Sequence, residues 1–141
     1  MRPAQEELLF VYGTLMFPEI LRALIGRVPD STAAAAAGWR AAALRGRRYP
    51  GLVPGPSLAR GRVISGLSGG ERRIIHAFED GGYELRRLAL TDGSHAAAYV
   101  WTRDRDVLPA NWDAAVFAAR DLAGYVERLT ATRQPRGSGS G

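Results

Sequence analysis

The chain has 141 residues, of which 46% are hydrophobic and 23% charged, a length and composition typical of one globular domain and not of a disordered or fibrous protein. It has no cysteine, and all 19 basic residues are arginine, which excludes disulfides, zinc–thiolate sites, cysteine nucleophiles and Schiff-base lysines. Two histidines are too few for a histidine-rich metal centre.

The net charge of +5 raises the question of an anionic partner. Ten of the arginines lie between Arg40 and Arg87, and a basic segment of this kind can bind nucleic acid. It is not interleaved with aromatic residues of exposed character, so a solvated surface or an anionic small molecule is favoured over nucleic acid. No apolar run approaches the ~20 residues of a membrane span, and no signal peptide is visible. We therefore expect a soluble, cytoplasmic protein that does not bind membranes.

The N-terminal quarter predicts a strand, a loop and a helix. Residues 8–11 are all apolar and stop at Tyr12-Gly13-Thr14, a pattern typical of a buried central strand that ends in a tight loop. Pro18 precedes a helical pattern over 19–25, which Gly26 ends. The polar residues 1–7 and the Gly/Ser-rich residues 134–141 are predicted to be flexible termini around one domain at 8–130.

The next segment is ambiguous. Alanine runs at 33–37 and 41–43 favour a helix on propensity alone, but Gly38 interrupts them and no apolar face develops. Residues 48–56 contain three prolines and two glycines, so we predict an irregular loop there. Weak alternation over 62–67 indicates a strand.

The second half predicts a helix, a hairpin and a final helix. Ser68 and Glu71 form a capping-box pattern, and the helix that follows ends near Glu79 and Asp80. Residues 83–90 and 96–101 are predicted to pair across a turn at Asp92-Gly93. An amphipathic pattern over 112–129, capped by Asn111 or Asp113, predicts one helix packed on the sheet. This order of elements indicates an α+β or barrel-like fold.

Two places could carry chemistry. The turn formed by Tyr12, Gly13, Thr14 and Leu15 could bind an anion or a developing oxyanion through successive backbone N–H groups; it could equally be a plain connection. The serines have no histidine at a recognisable spacing, which argues against a serine hydrolase.

Glu79 is the second place. A carboxylate at a helix C-terminus is electrostatically disfavoured, and an apolar setting would raise its pKa towards the range of a general acid or base. An exposed surface glutamate is the alternative. His76, one turn earlier, either contacts Glu79 or fills a half-buried position, and Asp104 and Asp106 alternate with arginines in what resembles a solvated charge cluster.

Three strings, in this order and spacing, resemble the γ-glutamylcyclotransferase-like superfamily, including its AIG2-like branch. They are Phe-Val-Tyr-Gly-Thr-Leu-Met at 10–16, Arg-Tyr-Pro-Gly-Leu-Val-Pro-Gly at 48–55 and Ala-Phe-Glu-Asp-Gly-Gly-Tyr at 77–83. The resemblance covers about 8–129 and implies a small mixed β-barrel with flanking helices. It also implies that 33–44 is a strand, against the alanine propensity.

The resemblance also implies roles for individual residues. Glu79 would be the catalytic acid/base, and the turn at 12–15 would bind the glutamyl part of the substrate through backbone amides. Tyr83 would line the cavity, and Tyr49 and Pro50 would lie in a loop over it. An arginine-rich rim would suit a substrate that carries a carboxylate.

The implied reaction is intramolecular. The α-amine of a γ-glutamyl amine or amino acid attacks the γ-carbonyl, closes a five-membered ring and releases 5-oxoproline and the free amine. No metal or other cofactor is implied. The chain departs from the family pattern at Ile75-His76, where Leu-Asp is frequent, and at Leu85, where arginine is frequent. A non-catalytic binding module for a small anionic ligand and a related amide hydrolysis stay open as alternatives.

Overall fold

The computed structural model describes residues 8–133; both predicted flexible termini, 1–7 and 134–141, lie outside the described residues. Within 8–133 the chain forms six strands and four α-helices. The strands are β1 (Leu9–Val11), β2 (Ser31–Leu44), β3 (Gly51–Ile64), β4 (Tyr83–Ala89), β5 (His95–Trp101) and β6 (Val107–Asn111). The helices are α1 (Pro18–Ile25), α2 (Gly69–Phe78), α3 (Ala114–Arg120) and α4 (Leu122–Arg133), and short 3-10 turns cover Thr14–Met16 and Asp104–Asp106.

The six strands form one mixed sheet in the order β4-β5-β1-β3-β2-β6, with a further contact between β5 and β3. Strand β1 is central: it pairs antiparallel with β3 and parallel with β5. The sheet curls into a half-barrel flanked by the helices, so the predicted α+β fold with a mixed barrel-like sheet is confirmed.

The alternation of side chains along β1 divides the core in two, because successive residues of a strand point to opposite faces of the sheet. Leu9 and Val11 pack with buried residues of α1 and α2. Phe10 and Tyr12 pack with residues of β3 and β5 in the hollow of the half-barrel. A strand with an apolar partner on both faces needs the uninterrupted apolar run that the sequence contains.

The alanine-rich segment is a strand, as the resemblance implies and against its helix propensity. Strand β2 pairs with β3 from Ser31↔Ile64 to Ala42↔Gly51, and this long antiparallel ladder outweighs a propensity of a few tenths of a kcal/mol per residue. The register shifts around Gly38, whose φ of 86° suits glycine.

The prediction of an irregular loop over 48–56 is wrong for 51–56, which belongs to β3. The prolines are accommodated by the irregular pairing: Trp39 pairs with Pro54 and Ala37 with Leu58, so the register shift falls across Pro56. Proline is tolerated in strands where no ladder hydrogen bond is required of it. The strand predicted to begin at Arg62 therefore begins eleven residues earlier and ends at Ile64.

The helix predictions hold with one correction. Helix α1 begins at Pro18 and ends at Gly26, and α2 has the predicted capping box between Ser68 and Glu71. The predicted single helix over 112–129 is two helices, α3 and α4, that meet at Asp121. Asp113 caps α3 through hydrogen bonds from the N–H groups of residues 115 and 116.

Gly61 fixes the approach of β3 to β1. A Cβ at this position would lie 2.1 Å from the carbonyl oxygen of Val11, and two backbones cannot separate without loss of the ladder. We expect Gly61→Ala to lower the free energy of unfolding by about 1–3 kcal/mol, the range of overpacked sites, measured by urea denaturation. Gly55→Ala in the same strand is the control, since its Cβ would meet only the flexible side chain of Arg40, at 3.2 Å. Equal midpoints for the two variants would contradict this assignment.

Candidate active site

A cavity of about 260 Å³ opens where β1 ends. All eight site residues predicted from the sequence line it: Tyr12, Gly13, Thr14, Leu15, Tyr49, Pro50, Glu79 and Tyr83. The others that line it are Phe10, Val11, Phe78, Asp80, Tyr99 and Tyr125. The fold therefore brings the three recognised strings, which are far apart in the sequence, to one place.

The turn after β1 forms one wall of the cavity. Gly13 packs so closely against the ring of Pro50 that a Cβ at this position would lie 2.7 Å from Pro50 Cγ. The 3-10 turn that follows closes with hydrogen bonds from Met16 N to Gly13 O and from Phe17 N to Thr14 O. In a turn of this kind the N–H groups before the first internal bond have no partner inside the turn. The N–H groups at Thr14 and Leu15 are therefore suited to an acceptor in the cavity.

Hydrogen bonds from buried tyrosines tie this wall to the sheet. The Tyr12 hydroxyl donates to the carbonyl oxygen of Tyr99 at 2.5 Å and accepts from the N–H of Leu52 at 3.2 Å. The Tyr83 hydroxyl donates to the carbonyl oxygen of Pro50. These bonds fasten the segment after β1 to β3 and β5, and the segment before β3 to β4.

All five tyrosines of the chain line this cavity. Tyr83 is the centre of the group: its ring contacts those of Tyr49, Tyr99 and Trp101 at centroid distances of 6.2, 6.2 and 5.0 Å. Burial raises the pKa of Tyr12 and of Tyr83 far above the ordinary value, so both hydroxyls stay neutral in the physiological range. The tyrosine part of the lining is thus uncharged and rich in hydroxyl groups.

Glu79 is the C-cap residue that follows α2, and it lines the same cavity. Its N–H donates to Ile75 O and His76 O at 3.2 and 3.3 Å. The side chain keeps partial exposure because it faces the cavity, while the protein around the carboxyl removes most of the bulk water. Loss of hydration raises the pKa of Glu79, helped by the negative charge of Asp80, to about 8. The carboxyl can therefore hold or release a proton near neutral pH.

Asp80, the next residue, behaves in the opposite way. Its Oδ2 accepts hydrogen bonds from the Tyr49 hydroxyl and from Arg47 Nε, the latter at 3.2 Å. Its Oδ1 accepts from Gly82 N at 2.8 Å. Burial acts to raise the pKa of Asp80, but these hydrogen bonds from Tyr49, Gly82 and Arg47 outweigh it and lower the pKa below its usual range. Adjacent carboxyls are thus kept in different protonation states.

Several residues of the site were missed by sequence reasoning. Tyr99 and Tyr125 lie on β5 and α4, outside the three strings. Tyr99 could have been found from the alternation of β5, in which it shares a face with Ala97 and Trp101. Tyr125 has no comparable local signal, since only the packing of α4 beside α1 brings it to the cavity.

Three expectations about side chains are not met. His76 is exposed, not half-buried, and its Nδ1 hydrogen-bonds the Tyr99 hydroxyl at 3.0 Å. Asp106 is not part of a solvated cluster, because its carboxylate pairs with Arg47 at 3.4 Å and its side chain is only 15% exposed. The expected arginine-rich rim is absent from the cavity: no arginine lines it in the described part of the chain.

Leu85, one of the departures from the family pattern, lies outside this cavity. It is 47% exposed and lines a separate apolar groove between α2 and the β4–β5 hairpin. Ile75, the other apolar departure, is buried in the core. Neither replacement therefore alters the lining around Glu79.

Residues 8–133 contain no group of three or more His, Asp or Glu side chains close enough to hold a metal ion. Over the same residues no helix has the length and apolar character required to cross a bilayer.

A family model described as "Gamma-glutamyl cyclotransferase, AIG2-like" matches residues 9–114. The chain belongs to this family. AIG2-like protein C of Arabidopsis thaliana is 35% identical over 133 residues, which cover 89% of this chain and 76% of the relative. AIG2-like protein D of the same plant is 30% identical over 126 residues, 84% of this chain and 83% of the relative.

Two solved structures share the fold of this chain. A solution structure of an Arabidopsis thaliana protein superposes with a TM-score of 0.69 at 23% identity, covering 99% of this chain and 91% of the other. A structure titled "Gamma-glutamyl cyclotransferase" has a TM-score of 0.55 at 14% identity, covering 96% and 92%. At these identities the similarity establishes the fold alone.

The raised pKa of Glu79 predicts a pH-dependent stability. Between pH 4.5 and about 8 the unfolded chain loses the Glu79 proton while the folded protein keeps it, so the free energy of unfolding falls as pH rises through this window. Glu79→Gln removes this contribution. We expect the free energy of unfolding of the variant to match that of the wild type at pH 4 and to exceed it at pH 9 by a few kcal/mol. Chemical denaturation at the two pH values measures the difference, and equal gains at both would contradict a raised pKa of Glu79 in the folded protein.

Proposed function

We propose that this AIG2-like family member is an active γ-glutamyl cyclotransferase that converts a γ-glutamyl amine or amino acid to 5-oxoproline and a free amine. The observation that supports this most strongly is the Glu79 carboxyl, with its pKa near 8, in the same cavity as the turn at 12–15. A pKa close to the working pH is what a single group requires to accept and then return a proton. The site is proposed to need no cofactor.

The reaction has few chemical requirements. The α-nitrogen forms a bond to the γ-carbonyl carbon, and the bond from that carbon to the leaving nitrogen breaks. Two protons leave the α-nitrogen in turn, one as the ammonium becomes an amine and one as the amine becomes the lactam N–H. Glu79 accepts each of them and passes both to the leaving nitrogen, which departs as an ammonium ion. Atoms and charge balance without a redox partner, and the product ring has five members.

Ring closure is accelerated chiefly by orientation. Nucleophile and carbonyl belong to one molecule, so a site that holds the glutamyl chain bent gains part of the ~7–11 kcal/mol available from well-oriented intramolecular reactions. The volume of about 260 Å³ lies below the usual range for drug-sized ligands. This suits a ligand of amino-acid size, held in one conformation.

The turn at 12–15 would bind the oxygen atoms of this ligand. The N–H groups at Thr14 and Leu15 precede the first internal hydrogen bond of the turn, and they are the donors proposed for the γ-carbonyl oxygen as it gains negative charge. Gly13 brings the backbone close to Pro50, which fixes the position of these donors. No arginine is among the described lining residues, and the Tyr12, Tyr49 and Tyr83 hydroxyls already donate to protein oxygens. Backbone N–H groups are therefore the donors proposed for a substrate carboxylate.

The proposed role of Glu79 is tested by Glu79→Gln, which keeps the size and removes the titrating group. We expect turnover to fall by about 10²–10⁴-fold, the usual contribution of a general acid or base, while ligand affinity changes by less than about tenfold. Formation of 5-oxoproline from a panel of γ-glutamyl compounds is followed by mass spectrometry, and affinity by calorimetry.

Glu71→Gln is the matched control, since Glu71 lies at the other end of α2 and pairs with Arg27 away from the cavity. A Glu79→Gln protein as active as this control would contradict the proposal. Affinity without 5-oxoproline in the wild type would identify a binding module instead. Release of free glutamate would identify amide hydrolysis, in which water replaces the α-amine.

A further inference from the structure

Beside Glu79 lies a network that the reaction as described does not use. It consists of Arg47, Tyr49 and Asp80, and we call it the Asp80 network. Its side chains are only partly exposed, 23% for Arg47 and 19% for Asp80. Charged groups in such a setting interact more strongly than surface pairs, because less water screens them.

The network joins three separate parts of the cavity wall. Asp80 accepts from Tyr49 and Arg47, which precede β3, and from Gly82 N in the turn before β4. The carbonyl oxygen of Asp80 also accepts from Tyr83 N at 3.1 Å. Residue 80 is thus held through both its side chain and its backbone, immediately after Glu79.

Arg47 is itself fixed from two further directions. Its guanidinium lies over the ring of Trp101 at 4.8 Å and contacts the Asp106 carboxylate at 3.4 Å. The same Trp101 ring packs tightly on Gly82, where a Cβ would lie 2.4 Å from it. These contacts hold the guanidinium against Asp80, and Arg47 is not among the residues that line the cavity.

We propose that Asp80 is a positioning residue for Glu79 and that the balance of charge between Asp80 and Arg47 sets the pH range in which Glu79 exchanges its proton. The proposal rests on the proposed function of Glu79. Asp80 acts in two ways: its hydrogen bonds hold the segment that carries the Glu79 carboxyl, and its negative charge favours the protonated form of that carboxyl.

In this proposal Asp80 acts on Glu79 directly and Arg47 acts on it through Asp80, with the opposite sign. Asp80 contributes to the raised pKa of Glu79 after desolvation, which is the larger cause. Arg47 partly neutralises Asp80. Removal of the Asp80 charge therefore lowers the pKa of Glu79, whereas removal of the Arg47 charge leaves Asp80 less compensated and raises it.

The other titratable groups around Glu79 do not produce this pattern. Tyr12 on β1, Tyr83 on β4 and Tyr99 on β5 have raised pKa values, so they stay neutral below pH 9. On α2, His76 contacts the Tyr99 hydroxyl. Arg72 acts on Tyr99, and Arg48, Asp121 and Arg128 act on Tyr125 of α4. Among the charged groups of residues 8–133, Asp80 is the one that shifts the pKa of Glu79.

The experiment compares Asp80→Asn with Arg47→Gln. The pKa of Glu79 is read from the ¹³C chemical shift of its side-chain carboxyl as pH is varied, with the signal assigned by its loss in Glu79→Gln. We expect the midpoint to move down by about one pH unit in Asp80→Asn and up by a similar or smaller amount in Arg47→Gln. The pH at which kcat/KM for 5-oxoproline formation rises should move in the same two directions.

The matched controls are Glu71→Gln and Arg27→Gln, which break an ion pair of the same kind at the other end of α2. They should leave both midpoints unchanged. A merely structural network predicts that both variants lower kcat/KM without moving the Glu79 midpoint in opposite directions. Midpoint shifts in one direction, or no shift in either variant, would therefore overturn the proposal. Arg47→Gln decides the matter alone if Asp80→Asn does not fold.

The two proposals fail in different ways. The ¹³C titration needs no substrate, so a wild type that forms no 5-oxoproline contradicts the proposed function whatever the titration shows. Intact turnover with unshifted Glu79 midpoints contradicts the role of the Asp80 network alone.

Discussion

The site depends on one constraint: a carboxyl group is held where water cannot hydrate it well. Ionisation of a glutamate in such a place is unfavourable, so the pKa of Glu79 rises to about 8 and the carboxyl stays protonated at lower pH. Glu79 lines the cavity together with five tyrosines, one of which lies on α4, and its side chain keeps only partial exposure. A surface glutamate with its ordinary pKa would be too weak a base for an α-ammonium group at neutral pH.

Close backbone packing makes the cavity small and rigid. Gly13 lies against Pro50, and both Gly51 and Gly82 lie against Trp101 so closely that a Cβ would fall within 2.6 Å of the indole side chain. These three glycines belong to the three strings recognised in the sequence. Their role is therefore steric: they let the wall segments approach one another around Glu79, and tyrosine hydroxyls then fasten the segments together.

The sequence predicted those elements that have a local pattern or that the resemblance implies. The run at 8–11, the capping box at Ser68 and the hairpin at 83–101 are local signals, and all three are confirmed. The start of β3 and the break at Asp121 were missed, because proline-rich pairing and helix junctions depend on partners distant in the chain. The positions of Tyr99, Tyr125 and the Arg47–Asp80 pair likewise depend on contacts among α4, β5 and the segment before β3. These contacts join distant parts of the chain, so a local sequence pattern does not predict them.

The most direct test of the central claim is a crystal structure of the Glu79→Gln protein with a γ-glutamyl compound bound. The account predicts the α-nitrogen of the ligand within about 3 Å of the residue 79 side chain, the reach required for proton transfer. It also predicts the γ-carbonyl oxygen facing the backbone N–H groups at 14 and 15. A ligand seated instead in the groove between α2 and the β4–β5 hairpin, with its α-nitrogen remote from residue 79, would contradict it.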